Sequence, residues 1–540
     1  MIRFVKGFLC LGGVALGLTA AAAGQSASTT IKTTEDIASA FKKGDWPTYN
    51  GDYTGKRYSG LRQITPDNVK QLRAMWVFHS RNAGTLEVTP VVVNGVMYVT
   101  ASNDAYALNA EDGQLLWHYS RPVSEGLIDD AAGHINRGVA VWGDRLYMET
   151  DNAHLLCLDA RSGHLIWDIA YAGSNKNYGA TSAPLMVKGK IIVGTSGGDD
   201  GVRGFIAAFD ATTGAEVWRR WTIPAPGEFG SSSWPGDLYL HGGGTGWMPG
   251  TFDPELNTLY WGTGNAAPDY DGNVRPGDDL YTACVLALDP DTGSIKWYFQ
   301  FTPHDLYDFD GVETPVLVDR VYEGQPRKLL IEGNRNGFLY ILDRTNGKFL
   351  SAAQFAEKLN WAKGIDAQGR PIFTDVKPTA DGTLICPGVA GASNWYSPAY
   401  NPETQLFYFL TLDECSVVST KPEEFKEGKE FYSTGSRRDP NAKWKKRLLA
   451  FDAATHSFAW TYPQVSNAQS WGGVMTTASG LVFFADDSNS FEAVDAKTGK
   501  SLWHFNTGQS LHASPMSYAV DGRQYVAIAS GDDLFTFALP

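Results

Sequence analysis

The sequence predicts an all-β fold, an eight-bladed β-propeller, and three observations predict it. A motif recurs seven times: an apolar strand, Asp or Asn, a few polar residues, Gly, a short strand and Trp. Early copies are spaced 50 residues (Asn109 to Asp159) and 51 residues (Asp159 to Asp210) apart, the span of a four-stranded blade. Gly makes up 58 of 540 residues, with 17 Trp, against a usual Gly level of about 7%. That composition suits many short strands joined by tight turns.

The first four copies are Ala107–Trp117, Leu156–Trp167, Ala208–Trp218 and Ala287–Trp297. Weaker copies follow at Ile341–Gly347, which lacks the Trp, and at Ala450–Trp460, where His456 stands in place of Gly; the last is Ala493–Trp503. Each reads as a hairpin in which the Asp carboxylate binds turn amides, Gly takes a positive φ, and Trp packs on the next unit. The longer gaps, Asp210 to Asp289 and Asp343 to Asp452, imply insertions on one face. Tyr518 to Phe537 supplies strands without the motif. The segment Ala74–His79 is expected to complete that last blade, leaving no open sheet edge. Residues 24–540 are therefore expected to form one propeller domain, although length alone would suggest several.

The N-terminus reads as a secretory signal over residues 1–23: Arg3 and Lys6, an apolar stretch from Phe8 to Leu18, then Ala21-Ala22-Ala23. The stretch is too short to span a bilayer, and no later segment approaches the required length, so a periplasmic protein without a membrane span is expected. Loss of Arg3 and Lys6 takes the formal charge from −14 to −16. That balance argues against nucleic acid as a partner and suits a basic protein partner. Cys157 and Cys284 lie in apolar strand patterns and read as buried thiols. Cys386 and Cys415 lie in loop-like contexts, where pairing is open. No Cys-x-x-Cys-His occurs, so no covalently attached haem is expected.

Acids and amides gather between the repeats. Gly262-Thr-Gly-Asn265 follows a strand pattern, and Thr302-Pro-His-Asp-Leu-Tyr-Asp308-Phe-Asp310-Gly311 follows the fourth repeat. In an extended segment Asp308 and Asp310 share a face, and adjacent carboxylates repel unless a cation sits between them. Oxygen ligands select a hard cation. Asp199, in Ser196-Gly-Gly-Asp-Asp-Gly-Val-Arg-Gly204, is a third candidate. Each alone also reads as an ordinary turn residue.

With Asp45-Trp-Pro-Thr-Tyr-Asn-Gly-Asp52, Asn136-Arg-Gly138, Gly262-Thr-Gly-Asn-Ala-Ala-Pro268, Thr302-Pro-His-Asp305, Asn334-Arg-Asn-Gly337, Asn394-Trp395 and Trp471-Gly-Gly473 in order, the chain resembles the pyrroloquinoline quinone (PQQ) dependent alcohol dehydrogenases. These are eight-bladed propellers with W-motif repeats, and the resemblance covers nearly all of the chain after residue 23. It implies Asp308 as the base that takes the alcohol proton while hydride passes to the quinone. It implies a metal held by Asp199, Asn265, Asp308 and Asp310. It implies a PQQ site formed by Glu87, Arg137, Thr181, Trp247, Arg335, Asn394 and Trp471, with Trp247 as the floor under the flat ring. It also implies a Cys386–Cys415 disulfide, a small alcohol as substrate, and a separate soluble cytochrome c as electron acceptor.

Three departures qualify the resemblance. Ala131-Ala132-Gly133 stands where the family usually has vicinal cysteines as a lid. Asp199 stands for the usual Glu and reaches about one methylene less far. Asp310, two residues past the base, is the feature of the lanthanide-dependent branch, so a lanthanide is favoured over calcium. A non-enzymatic scaffold built from PQQ-type repeats, and a degenerate quinoprotein with weak cofactor binding, are the rival readings.

Overall fold

The seven motif copies fold as hairpins closed by their own Asx side chains. Asp159 Oδ1 accepts from the amides of Arg161 and Ser162, and Asp210 Oδ1 from those of Thr212 and Thr213. Asp289, Asp343, Asp452 and Asp495 repeat the arrangement. These contacts come from a computed structural model, which describes residues 31–81, 84–127, 133–173, 177–439, 443–465, 471–486 and 488–540. The segment read as a signal, and Ala131 and Ala132, lie outside the described residues.

Among the described residues the strands form eight sheets of four or more strands. In chain order seven of them span residues 91–120, 140–170, 185–221, 251–300, 316–354, 399–463 and 474–506. The eighth joins Met516–Val520, Arg523–Ser530 and Asp533–Ala538 to the early strand Arg73–His79. The expected pairing of 74–79 with the last strands is thus present. The four strands of each sheet pair antiparallel, with Tyr58–Ser59 added in parallel to Val474–Thr477, and the middle strands are largely buried: all six residues of Val96–Ala101 are. Outer strands alternate, as in Leu165–Ala170, because only one of their faces meets a neighbouring sheet.

Consecutive sheets are joined by the motif's Trp and Gly. A Cβ on Gly163 would lie 2.6 Å from the Trp117 ring, one on Gly293 2.4 Å from Trp218, and one on Gly499 2.5 Å from Trp460. The indole nitrogens of Trp117, Trp218 and Trp460 donate to backbone carbonyls of the following sheet, at Ala160, Pro290 and Ala496. The two weak copies explain one another. The fifth sheet ends in Lys348–Gln354 without a Trp, so the sixth has room for His456, which meets Tyr322 Oη at 3.1 Å instead. Trp76, on the strand that completes the eighth sheet, lies against Gly113 of the first motif at 2.6 Å from its built Cβ.

The insertion after Asp343 forms two small sheets, Ala362–Ile365 with Pro371–Phe373, and Thr383–Ile385 with Ser416–Thr420 and Thr434–Arg438. Cys386 and Cys415 form a disulfide within it, whereas Cys157 and Cys284 are free and buried. The helix Thr34–Lys43, capped by Thr33 and Gly44, has no counterpart in the sequence reading. No described helix is long and apolar enough to cross a membrane.

Candidate active site

In an antiparallel meander the start of the first strand and the end of the second meet at the same end of the sheet. Arg137, Thr181, Trp247, Asn394 and Trp471 each precede a first strand, and Asp199, Asn265 and Arg335 each follow a second. Asp308 and Asp310 precede Val316–Tyr322. All ten line one cavity of about 290 Å³, together with Gly133, Ile135, Thr245 and Trp395. Glu87 stands behind this wall, its Oε2 2.6 Å from Arg137 Nη2. Asp200 does not line the cavity.

The loop carrying the two predicted acids is shaped by Asp305, whose carboxylate accepts from the amides of Tyr307 (3.0 Å) and Phe309 (2.8 Å). Tyr307 and Phe309 pack against Trp361, with ring centroids 5.4 Å from it. The acids between and beyond them turn to the cavity. The alternation expected of an extended strand therefore holds, but on a different backbone: Asp308 has φ +61°.

Arg335 reaches both acids, Nη1 to Asp310 Oδ2 at 2.6 Å and Nη2 to Asp308 Oδ2 at 3.0 Å. Its backbone amide donates to Glu313 Oε1 at 3.1 Å. The other oxygen of Asp310 accepts from the Asn265 amide at 2.7 Å. A Cβ at Gly264 would lie 2.7 Å from that oxygen, so the glycine of Gly262-Thr-Gly-Asn265 permits the approach. The Asn265 side chain donates to Asp199 Oδ1 at 2.9 Å. Burial pushes the Asp308 carboxyl well above the usual carboxylate range; Arg335 opposes this, and Asp199 and Asp310 add to it. Burial likewise raises Glu313 to about 8.

The opposite wall is aromatic and cationic. Arg137 donates to Thr181 Oγ1 at 2.7 Å, and its Cζ lies 5.1 Å from the Trp247 ring centroid and 4.5 Å from that of Trp395. Indole faces beside a guanidinium suit a flat anionic ring system. Carboxylate and amide groups on the far wall suit a hard cation, which would relieve their mutual repulsion.

Sequence reasoning missed Asp269. It follows the quoted Gly262–Pro268 stretch by one residue, and no repeat or spacing marks it. Carboxylate oxygens of Asp199, Asp269 and Asp308 all lie within 4.8 Å of one another. Glu313 and Trp395 were also missed as site residues, although Trp395 sits in the quoted Asn394-Trp395 pair.

The PQQ family model described as glucose/ethanol/alcohol dehydrogenase, β-propeller domain, matches residues 46–357 and 437–526. The chain is 38% identical over 557 aligned residues to a quinohemoprotein alcohol dehydrogenase of Comamonas testosteroni, covering 97% of this chain and 78% of that protein. It is 35% identical over 527 residues to the 1-butanol dehydrogenase (cytochrome c) of Thauera butanivorans, covering 90% of this chain and 74% of that protein. The solved structure of a europium-containing methanol dehydrogenase superposes with a TM-score of 0.86 at 29% identity, over 94% of this chain and 100% of that one. From the motif match and these relatives, the chain belongs to the PQQ-dependent alcohol dehydrogenases, oxidoreductases built on a β-propeller.

Proposed function

We propose that the protein oxidises a primary alcohol or polyol to the aldehyde in the periplasm, with PQQ and one metal ion in the cavity, and passes electrons to a separate soluble cytochrome c. The observation that carries this reading is the meeting of Asp199, Asn265, Asp308, Asp310, Arg335, Trp247 and Trp471 at one cavity, which a scaffold propeller has no need of. Residues 24–540 are read as one ring of eight blades. The contact of Trp76, in the last sheet, with Gly113 of the first supports closure. The Cys386–Cys415 disulfide supports an oxidising compartment, reached through a signal over residues 1–23.

When bound, PQQ would supply a hydride acceptor and the metal a Lewis acid beside it. Trp247, Arg137, Thr181, Asn394 and Trp471 would hold its ring system and polar groups, with Glu87 paired to Arg137. Asp308 takes the substrate hydroxyl proton, for which it must be ionised. A cation beside it and the Arg335 guanidinium both favour that form against the cost of burial. Asp199, Asn265, Asp308 and Asp310 supply oxygens and negative charge suited to a trivalent ion, so a lanthanide is favoured over calcium.

Reconstitution of metal-free protein with PQQ and either La³⁺ or Ca²⁺, followed by dye-linked oxidation of a series of primary alcohols, tests this. Activity with La³⁺ above that with Ca²⁺ is expected. Equal or higher activity with Ca²⁺ overturns the metal preference, and absence of quinone absorbance in the reconstituted protein overturns the function.

A further inference from the structure

We infer that Asp269 is a direct ligand of the metal ion, a carboxylate beyond the set that the family resemblance supplies. The inference rests on reading the cavity as a metal and PQQ site.

Asp269 is 1% exposed, and neither of its carboxylate oxygens has a hydrogen-bond partner. A buried polar group without a partner is costly, and a buried charge more so. The position is not a slack loop. Arg275 Nη2 donates to the Asp269 carbonyl at 2.9 Å and Arg275 Nε to the Pro268 carbonyl at 3.2 Å, while the Tyr270 amide donates to the Tyr432 carbonyl at 3.1 Å. The backbone is therefore held on both sides of a side chain left unbonded. Arg275, the buried cation that holds it, gives Nη1 to Asp279 and shares Nη2 with the Asp305 carbonyl. It makes no hydrogen bond to the Asp269 carboxylate.

What the carboxylate does face is acid: oxygens of Asp199 and Asp308 within 4.8 Å. Three carboxylates at that spacing repel unless protons or a cation intervene, and oxygen-only donors select a hard cation. Asp310 contrasts with Asp269, since both its oxygens are engaged, one by Arg335 and one by the Asn265 amide. Asp269 is thus placed to supply the oxygen that the short Asp199 side chain brings less far. Its charge adds to those of Asp199 and Asp308 and favours a trivalent over a divalent ion.

The test is metal binding by the PQQ-loaded protein, with Tb³⁺ as probe. Its luminescence is sensitised through nearby indoles, it is displaced by La³⁺ or Ca²⁺, and its decay in H₂O and D₂O counts the waters on the ion. Asp269→Asn is expected to weaken Tb³⁺ at least about ten-fold, to reduce the preference over Ca²⁺, and to add about one bound water. It is also expected to raise the melting temperature of the metal-free protein while lowering that of the Tb³⁺ form. This reversal of sign does not follow from a packing role. Asp269→Ala serves if the Asn variant does not fold. Unchanged affinity and hydration in the variant, with binding lost in Asp308→Asn, overturns the role of Asp269 and leaves the metal site standing. No Tb³⁺ binding by the wild type overturns the site itself.

Discussion

Asp308 is the base on the proposed reading, and its neighbours define what a substitution there tests. Asp308→Asn keeps the shape and one acceptor oxygen but removes the basic group. Turnover should fall about 10²–10⁴-fold, the range that a general base contributes, while quinone absorbance in the loaded protein persists. Retained turnover would move the base elsewhere. Glu149 offers a separate test away from the cavity. Its Oε1 accepts from Tyr171 Oη at 2.7 Å, its Oε2 has no partner, and burial raises it from 4.5 to about 8. The folded protein keeps this proton up to about pH 8, whereas the unfolded chain releases it near 4.5. The stability it lends is complete below pH 4.5 and is lost as pH rises through 8. Glu149→Gln has no such loss, so its melting temperature should exceed that of wild type by a margin that grows from pH 5 to pH 8.5. Over that range the margin should grow by about 3–4 kcal/mol, since each unit of pH below the folded pKa is about 1.4 kcal/mol; a constant margin would contradict the assignment. The acids that titrate oddly were legible in the sequence only where a motif held them. Asp308 and Asp310 stand in a stretch that matches a family. Asp269 and Glu149 owe their state to burial by distant segments, which no local pattern encodes.

At the scale of the element, the motif was legible because its parts act locally. The Asx turn and the positive-φ glycine need only a few consecutive residues, so seven copies show the hairpins directly. The Trp–Gly contact is a relation between copies, and it accounts for the two irregular ones. Gly499→His places a side chain at φ +69° against the Trp460 ring, whose nearest atom lies 2.5 Å from the built Cβ. It should cost about 2–4 kcal/mol by overpacking and backbone strain. His456→Gly, where no indole faces the turn, should change stability by within about 1 kcal/mol, since relief of φ offsets the lost bond to Tyr322. Equal costs, measured by denaturant unfolding, would remove the indole as the reason for the glycine. The insertions were legible as gaps in the repeat but not as structure. Nothing in residues 344–440 announces the small sheets or that the Val389 carbonyl holds Arg335.

For the whole molecule, the joint between last and first sheets, like that at Trp167, has an indole nitrogen buried without a hydrogen-bond partner. Trp117 Nε1 donates to Ala160 O at 3.0 Å, whereas Trp76 Nε1 is buried without a partner. Trp117→Phe should therefore lose about 1 kcal/mol more than Trp76→Phe, one hydrogen bond's worth. Similar losses would show that the two joints are equivalent.

The strand Arg73–His79 is paired along its length, with one irregularity between Ala74 and Trp76, to the strand that ends at Ala538. A chain made from its N-terminus thus carries an unpaired early strand until residues 533–538 are synthesised. Such non-local pairing slows folding, and an unpaired edge invites other chains. Loss of residues 535–540 would leave two open edges rather than one shortened sheet. The pairing of Arg73–His79 with Asp533–Ala538 therefore ties the order of folding to the order of synthesis, because the eighth sheet can close only after the seven before it have been made.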